Sequence, residues 1–397
     1  MKKNVTDIAV IIPKFGLIGG AENFALQTTR KLASNPSFRV HVFSNEWNYN
    51  GNNIRFSKVP YIRFPRHLIT PSFAYFANRR VDGMGFDLVH SHDRIFRADI
   101  FTMHGIPHRL WPLEVRRRNR MSLFDRATAR VEEHLIRKGG CRRFVAVSNL
   151  TKQKFLQEYS DIDPEKIEIV HPGVDMDGYR FPDRNSYRQD LLSRFGFQPD
   201  DTIFLFVSMN FDIKGLDALM GGLSRMRIMH PEIPWRLLVV GKGEIRIYEN
   251  FASGLNIGDR VVFSGAVQKE ELSCMYGGSD VFCMPSKFDT FGMAALEAMA
   301  ASLPVLISSN VGAKDLVKNE VNGFIVNDPD MEDEIASRVV LLSNPEIRRR
   351  MGDEAFRTAL SCSWDSVASR MEEIYEAVLK EKRTGGGRFP VRETATG

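Results

Sequence analysis

The stretch Asp280-Val-Phe-Cys-Met-Pro-Ser-Lys-Phe-Asp289-Thr-Phe-Gly292-Met-Ala-Ala-Leu-Glu297-Ala-Met-Ala-Ala-Ser-Leu-Pro304-Val-Leu-Ile-Ser-Ser309 reads as strand, polar turn, helix, turn and strand. Val281 to Met284 is a short apolar run closed by Pro285; Gly292 opens a segment rich in Ala, Leu and Met, and Pro304 ends it before a second apolar run. A ligand belongs at the turn. The first N–H groups of such a helix, near Gly292 and Met293, point outward with the positive end of the dipole behind them, and a glycine lets a phosphate approach the backbone. Two carboxylates bracket that anion site: Asp289 precedes the helix, and Glu297 stands about five residues in, roughly 7 to 8 Å up the axis.

Outward from this stretch, apolar strand-like runs alternate with helical patterns. In the first half they are Ile8 to Ile12, Phe38 to Phe43, Asp87 to His90, Ile100 to Met103, Phe144 to Val147 and Ile167 to Val170. In the second they are Ile203 to Val207, Leu237 to Val240, Val261 to Phe263, Val281 to Met284, Val305 to Ile307 and Phe324 to Val326. Six and six imply an α/β protein with two open parallel sheets, and 397 residues exceed what one core usually fills. The hinge falls at His171-Pro-Gly-Val-Asp175, giving domains over 1–172 and 173–364. A closing helix is expected from Ser363-Trp364-Asp365 over about 365–380, and residues 384–397, which begin Thr384-Gly-Gly-Gly387, read as a disordered tail.

Several segments bear chemistry. Gly16-Leu-Ile-Gly19-Gly20-Ala-Glu22 follows the first strand without the G-x-G-x-x-G order of a dinucleotide fingerprint, which counts against a dehydrogenase. The helix after it has an apolar face traced by Ala21, Phe24, Ala25, Thr28 and Leu32. His90 and His92 invite a metal reading; they are read as facing opposite sides of their strand, so no zinc site is expected. His104-Gly105 ends another strand. Lys214-Gly215 opens a helix whose face runs Leu216, Leu219, Leu223 and Met226, and an ammonium there can neutralise the oxygens of a leaving diphosphate.

Two segments are basic. Residues 47–80 read as irregular, with Arg55, Lys58, Arg63 and Arg66 among Phe56, Tyr61 and Phe64: a surface for an acidic glycan or a membrane interface, or a solvated loop. Leu113 to Lys138 reads as one long helix or two, stopped by Gly139-Gly140, with Phe124, Ala127, Val131 and Leu135 inward. Its other face bears Arg116, Arg117, Arg118, Arg120, Arg126 and Arg130, suited to anionic lipid, to a phosphorylated oligosaccharide, or merely to solvent.

The spacing of Asp289 and Glu297 alone says little: with 49 acidic residues in 397, an acid eight positions from another should occur about six times by chance. In its strand-turn-helix setting, however, the segment from Asp289 through Ala-Met-Ala-Ala-Ser-Leu-Pro-Val resembles the E-x7-E block of the retaining glycosyltransferases of family 4. Flanking matches occur in the family's order. They are the G-G-x-E turn at Gly19-Gly20-Ala-Glu22, the D-x-x-H-x-H strand end at Asp87 to His92, the His104-Gly105 pair, Lys214-Gly215, and Ser308 to Asp315 in place of G-G-x-x-E. Asn210-Phe-Asp-Ile-Lys214-Gly-Leu-Asp and the basic central segment look most like the lipopolysaccharide-core glucosyltransferases.

The resemblance implies two Rossmann-like domains of the GT-B type facing each other across a cleft. It implies a retaining transfer of a hexose, in first place glucose, from a nucleoside diphosphate sugar, UDP-linked by preference, to a lipid-linked or lipopolysaccharide-core oligosaccharide. By the same resemblance the donor meets Gly19, Gly20, Lys214, Gly265, Val267, Phe291, Gly292, Met293 and Glu297. His104 and Asp289 hold the transferred sugar, and Arg116, Arg117, Arg118 and Arg120 face the acceptor or membrane. No metal or other cofactor is implied. Two positions depart from the pattern: Asp289 stands where Glu is usual, and Met209 where many members have an Arg, leaving Lys242 as a substitute cation. An epimerase or phosphorylase of the same fold, or a non-catalytic anion-binding protein, is the alternative.

Composition narrows the class. Residues 1 to 180 hold 29 Lys plus Arg against 18 Asp plus Glu, and the remainder 25 against 31, so the front half is basic and an anionic partner is expected there. No recognition motif accompanies that charge, which argues against nucleic acid. Four cysteines without paired spacing read as reduced thiols. Met-Lys-Lys before Ile8 to Ile12 is too short an apolar run for a signal peptide, and no run approaches a spanning helix. A cytoplasmic protein, peripheral at the inner face of the cell membrane, is the location expected.

Overall fold

The computed structural model describes residues 5–17, 19–327 and 332–384; the expected tail from residue 385 onward lies outside them. The chain divides into two compact units, Met1–Gly173 with Trp364–Gly397, and Val174–Ser363.

The first unit is built on seven parallel strands: β1 (Thr6–Ile11), β2 (Phe38–Ser44), β3 (Ile54–Lys58), β4 (Leu88–Ser91), β5 (Ile100–Met103), β6 (Arg143–Ala146) and β7 (Ile167–Ile169). Their order is β3-β2-β1-β4-β5-β6-β7. The centre reads as continuous apolar sequence because it is covered on both faces: Ile8 to Ile11 are at most 1 % exposed. Strand β3 corrects the reading of 47–80 as irregular. Only Ile54 of its five residues is fully buried, so it has no apolar run to announce it, and it survives as an edge strand by pairing with β2. The same stretch also holds α2 (Ile69–Asp82), whereas α1 (Gly20–Leu32) lies where expected and buries Phe24, Ala25, Thr28 and Leu32.

A second correction concerns the basic segment. A short helical turn at Trp111–Val115 ends at Arg116, and the next helix, α3 (Leu123–Lys138), starts only after Ser122 has capped it. Arg116, Arg117, Arg118 and Arg120 therefore lie on an exposed loop, with Arg117 in the left-handed region at φ 47°. The Ser122 hydroxyl accepts from the Asp125 N–H while the Asp125 carboxylate accepts from the Ser122 N–H, a reciprocal pair that fixes where the helix begins.

The final helix, α4 (Trp364–Thr384), packs on α1. The buried Tyr375 hydroxyl lies 2.6 Å from Nδ1 of His90 in β4, and the Lys382 ammonium donates at 2.8 Å to the buried Asp99.

The second unit repeats the pattern with six parallel strands: β8 (Thr202–Ser208), β9 (Trp235–Gly241), β10 (Val261–Gly265), β11 (Val281–Met284), β12 (Val305–Ser308) and β13 (Gly323–Val326), in the order β10-β9-β8-β11-β12-β13. The order reverses direction between β8 and β11, and between β1 and β4 in the first unit. Ligands of such sheets bind where the loops after those two strands part. Among the described residues no helix is long and apolar enough to cross a membrane.

Candidate functional site

In the second unit the loops flanking the reversal are 209–215, after β8, and 285–292, after β11. Gly215 caps the helix α5 (Leu216–Met229), whose Leu216, Leu219, Leu223 and Met226 are fully buried, and it takes φ 75°. A Cβ there would sit 2.1 Å from the Pro285 carbonyl oxygen, so glycine allows the two loops to touch. Gly215→Ala should therefore destabilise the protein by at least about 2 kcal/mol, read as a lower urea midpoint, and should weaken anion binding by displacing Lys214. The Lys287 N–H donates to the Ile213 carbonyl at 2.9 Å, and its ammonium is taken by Asp212 and Asp217 at 2.8 and 3.0 Å.

Across this junction the Lys214 ammonium donates to Oδ2 of Asp289, with both side chains about four-fifths shielded. The other carboxylate oxygen, Oδ1, accepts from the Phe291 N–H at 3.3 Å. The turn is braced by main chain from the loop after β12. Asp289 N–H donates to Asn310 at 3.0 Å, Gly312 N–H to Asp289 at 3.0 Å, and Ala313 N–H to Phe291 at 2.6 Å. Gly292, at φ 93°, caps helix α6 (Met293–Ala300); a Cβ there would lie 2.8 Å from Val311. Ala295 N–H turns back to the Gly292 carbonyl at 3.0 Å, while the N–H groups of Met293 and Ala294 precede any intrahelical acceptor, so a helix end able to receive an anion stands beside an ammonium. Phe291 is buried, so its expected part in binding falls to its backbone.

One turn further along α6, Glu297 meets two tyrosines. Tyr276 Oη donates to Oε2 at 3.2 Å, and Tyr179 Oη is a second hydrogen-bond partner. Burial raises the carboxyl from 4.5 to about 7, the two phenols and Lys269 pulling partly in the other direction. The carboxyl is thus held in place, close to half-ionised near neutrality, and mostly shielded with a part left accessible. Neither tyrosine could be found from sequence, since Tyr276 lies 21 residues and a whole strand before Glu297. The other second-unit residues expected at the site share the same carboxyl edge. Gly265 ends β10 at φ 75° with open space around it, two strands from Lys214, and Val267 follows it. Met209 is 62 % exposed, and Lys242, also exposed, is tied beside it by an N–H bond to the Ser208 carbonyl at 3.0 Å.

In the first unit the reversal lies between the turn after β1 and the loop after β4. Gly19 caps α1 and Gly20 begins it; the Glu22 carboxylate folds back so that a Cβ on Gly19 would lie 2.0 Å from it. At the end of β4 the rings of His90, within the strand, and His92, just after it, are 4.2 Å apart, which corrects the expectation that they face opposite sides, since residues two apart share a face of a strand. His90 is bound to Tyr375 and, at 2.7 Å, to Thr102. His92 Nδ1 is 3.0 Å from His104 Nε2, and Phe24 packs on the His104 ring at 5.2 Å. Burial lowers His90 and His104 from 6.5 to about 3, so both imidazoles are neutral at physiological pH. Neutral His104 keeps Nδ1 for a further partner and borders a pocket with His92, Asp93, Arg94, Gly105 and Glu132. Among the described residues no group of three His, Cys, Asp or Glu is placed to hold a metal ion.

The two reversal points and the anion-ready helix end define a two-domain Rossmann-like protein of the GT-B type. Residues 18–177 match the family model described as Glycosyltransferase Family 4, and residues 188–358 match that described as Glycosyl transferases group 1; the chain carries a domain of each. A D-inositol 3-phosphate glycosyltransferase of Streptomyces scabiei is 31% identical over 238 residues, covering 57% of this chain and 52% of the relative, so the chain spans about half the length of such curated relatives. The solved structure of WaaG, a glycosyltransferase involved in lipopolysaccharide biosynthesis, superimposes with a TM-score of 0.76 at 18% identity, over 92% of this chain and 99% of that one. Anabaena HepE in complex with UDP-glucose gives 0.70 at 18% identity, over 94% and 99%.

Proposed function

We propose that the protein is a retaining glycosyltransferase that moves a hexose, glucose in first place, from a UDP-linked donor to a lipid-linked or lipopolysaccharide-core oligosaccharide. The observation that carries this is the sequence of groups along one edge of the second unit: Lys214 and the α6 amides for a diphosphate, Glu297 for a ribose diol, and Asp289 for the sugar. Supporting it are the two family matches and the UDP-glucose complex of HepE.

In this reading the bond from the anomeric carbon to the phosphate oxygen breaks as Lys214 and the helix amides take up the charge of the departing diphosphate. Among the described residues no side chain is assigned as a nucleophile in this reading. The departing phosphate accepts the proton of the incoming hydroxyl on the same face, and configuration is retained. His104, neutral, keeps the hydrogen-bonding role toward the sugar that the family resemblance implies, and Gly265 and Val267 keep the base. Lys242 stands in for the cation missing at Met209. An acceptor of this kind places the protein at the membrane's inner face as a peripheral partner. A second reading, a phosphorylated cyclitol as acceptor, is favoured by the likeness to D-inositol 3-phosphate glycosyltransferases.

A panel of UDP, GDP and ADP sugars, scored by thermal shift and by nucleotide release with each acceptor class, tests the proposal. At a hundredfold excess over Kd the matching donor should raise Tm by about 5 to 10 °C, and release should require an acceptor. Product formed without any acceptor would favour an epimerase, transfer to free phosphate a phosphorylase, and binding without turnover a non-catalytic role.

A further inference from the structure

Two histidines leave the carboxyl ends of neighbouring strands, His92 directly after β4 and His104 directly after β5. The register that pairs Ser91 with Phe101 brings their side chains together at the edge of the sheet. Their rings are 16° from parallel with centroids 5.2 Å apart, a separation made up of the 3.0 Å between the bonded nitrogens and one ring radius at either end. The bond therefore runs along the ring planes and is not a face-to-face stack. The neighbours hold it so: the His90 ring lies 4.2 Å from His92 and is itself tied to Tyr375 and Thr102, while Phe24 packs on His92 and His104 at 6.0 and 5.2 Å.

Burial holds both rings well below the ordinary histidine value, helped at His92 by the two other imidazoles, so each carries a single proton. Four nitrogens thus share two protons, and one of the two lies in the bridge. If it belongs to His92 Nδ1, His104 must carry its own on Nδ1; if it belongs to His104 Nε2, His92 must carry its own on Nε2. The outer nitrogens, His92 Nε2 and His104 Nδ1, always have opposite polarity as a result. Neither has a partner among the described residues, neither is sealed in the interior, and both residues border the pocket that includes Asp93 and Gly105.

We infer that His92 is the positioning residue of His104: the shared proton locks the two imidazoles into the same tautomer and so sets whether His104 turns a donor or an acceptor toward a sugar hydroxyl. Without the bridge, His104 is free to take either tautomer, and a hydroxyl bound there loses its alignment for part of the time. The sugar role of His104 rests on the proposed function; the pairing of the two rings does not.

NMR of the full chain, with histidine labelled at its ring nitrogens, reads the tautomer of each imidazole without any substrate. His92 and His104 are assigned by the signals lost in His92→Phe and His104→Phe, or in His92→Asn should the first not fold. The wild type is expected to show both as Nδ1–H or both as Nε2–H, and loss of the His92 ring should leave His104 populating both forms. Opposite tautomers in the wild type, a doubly protonated ring, or an unchanged His104 in the His92 variants overturns the proposal. Kinetics read the consequence. His92→Phe should lower kcat/KM for the sugar donor about five- to tenfold with UDP affinity unchanged, and His92→Asn, whose amide can stand at the Nδ1 position, should recover part of the loss. Equal kcat/KM in His92→Phe, or UDP affinity falling with the rate, also overturns it. A wild type that turns over no donor removes the transferase reading instead, and the tautomers still decide the pairing.

Discussion

Glu297→Gln is expected to lower donor affinity about a hundredfold or more and to abolish its pH dependence, while making the unliganded protein more stable at pH 8. A ribose diol donating to a carboxylate forms charge-assisted hydrogen bonds of about 1.5 to 3 kcal/mol each, and these require the ionised form. With the carboxyl held at about 7, wild-type affinity for a nucleotide sugar should rise between pH 6 and 8, with a proton released on binding. The sugar-linked diphosphate itself has no proton to lose in that range, so the effect reports the protein.

The stability change runs the other way. Because the folded value lies above 4.5, the native state binds more protons than the unfolded chain between pH 4.5 and 7, and stability falls as pH rises through that window. Above it the ionised form is disfavoured by about 3 kcal/mol, a strain that Gln removes. The variant should thus gain in Tm at pH 8 and match the wild type at pH 5. Calorimetric titration in two buffers and melts at the two pH values read both effects. An affinity that keeps its pH dependence in Glu297→Gln would remove the ribose assignment.

Lys214 and Asp289 should give opposite signs. In the unliganded site the Asp289 carboxylate occupies the ammonium that a diphosphate would need. Lys214→Ala removes the phosphate partner and leaves a partly buried carboxylate beside the helix end, repelling the ligand; UDP affinity should fall about a hundredfold or more. Asp289→Asn removes the competitor, so UDP should bind several-fold tighter, yet turnover should drop at least tenfold because the sugar loses its grip. Product affinity up with rate down is a combination that unfolding cannot produce. Weaker UDP binding by Asp289→Asn would refute the competition.

Much of this site is legible in the chain itself, and for a definite reason. Gly215 and Gly292 mark backbone positions no other residue fits, Pro285 and Pro304 close strand and helix, and the carboxyl-edge loops follow apolar runs buried on both faces. Local rules suffice for those. What escaped the sequence depends on packing between distant segments. Strand Ile54–Lys58 exists because β2 offers it an edge, and the arginine loop breaks what periodicity alone extends as helix, since Ser122 and Asp125 make a better start three turns later than Leu113. The tyrosines on Glu297 and the His92–His104 bond are likewise side-chain meetings between separate elements, with no spacing to reveal them.

The hydrogen bond between His90 and Tyr375 spans 285 positions, with the whole of the second unit threaded between its partners. During synthesis the ribosome therefore delivers the second unit as one uninterrupted piece, ready to fold on emergence. The first unit keeps the face that Tyr375 will cover open to water until the helix after the second unit arrives, so of these two units the one begun first is completed second.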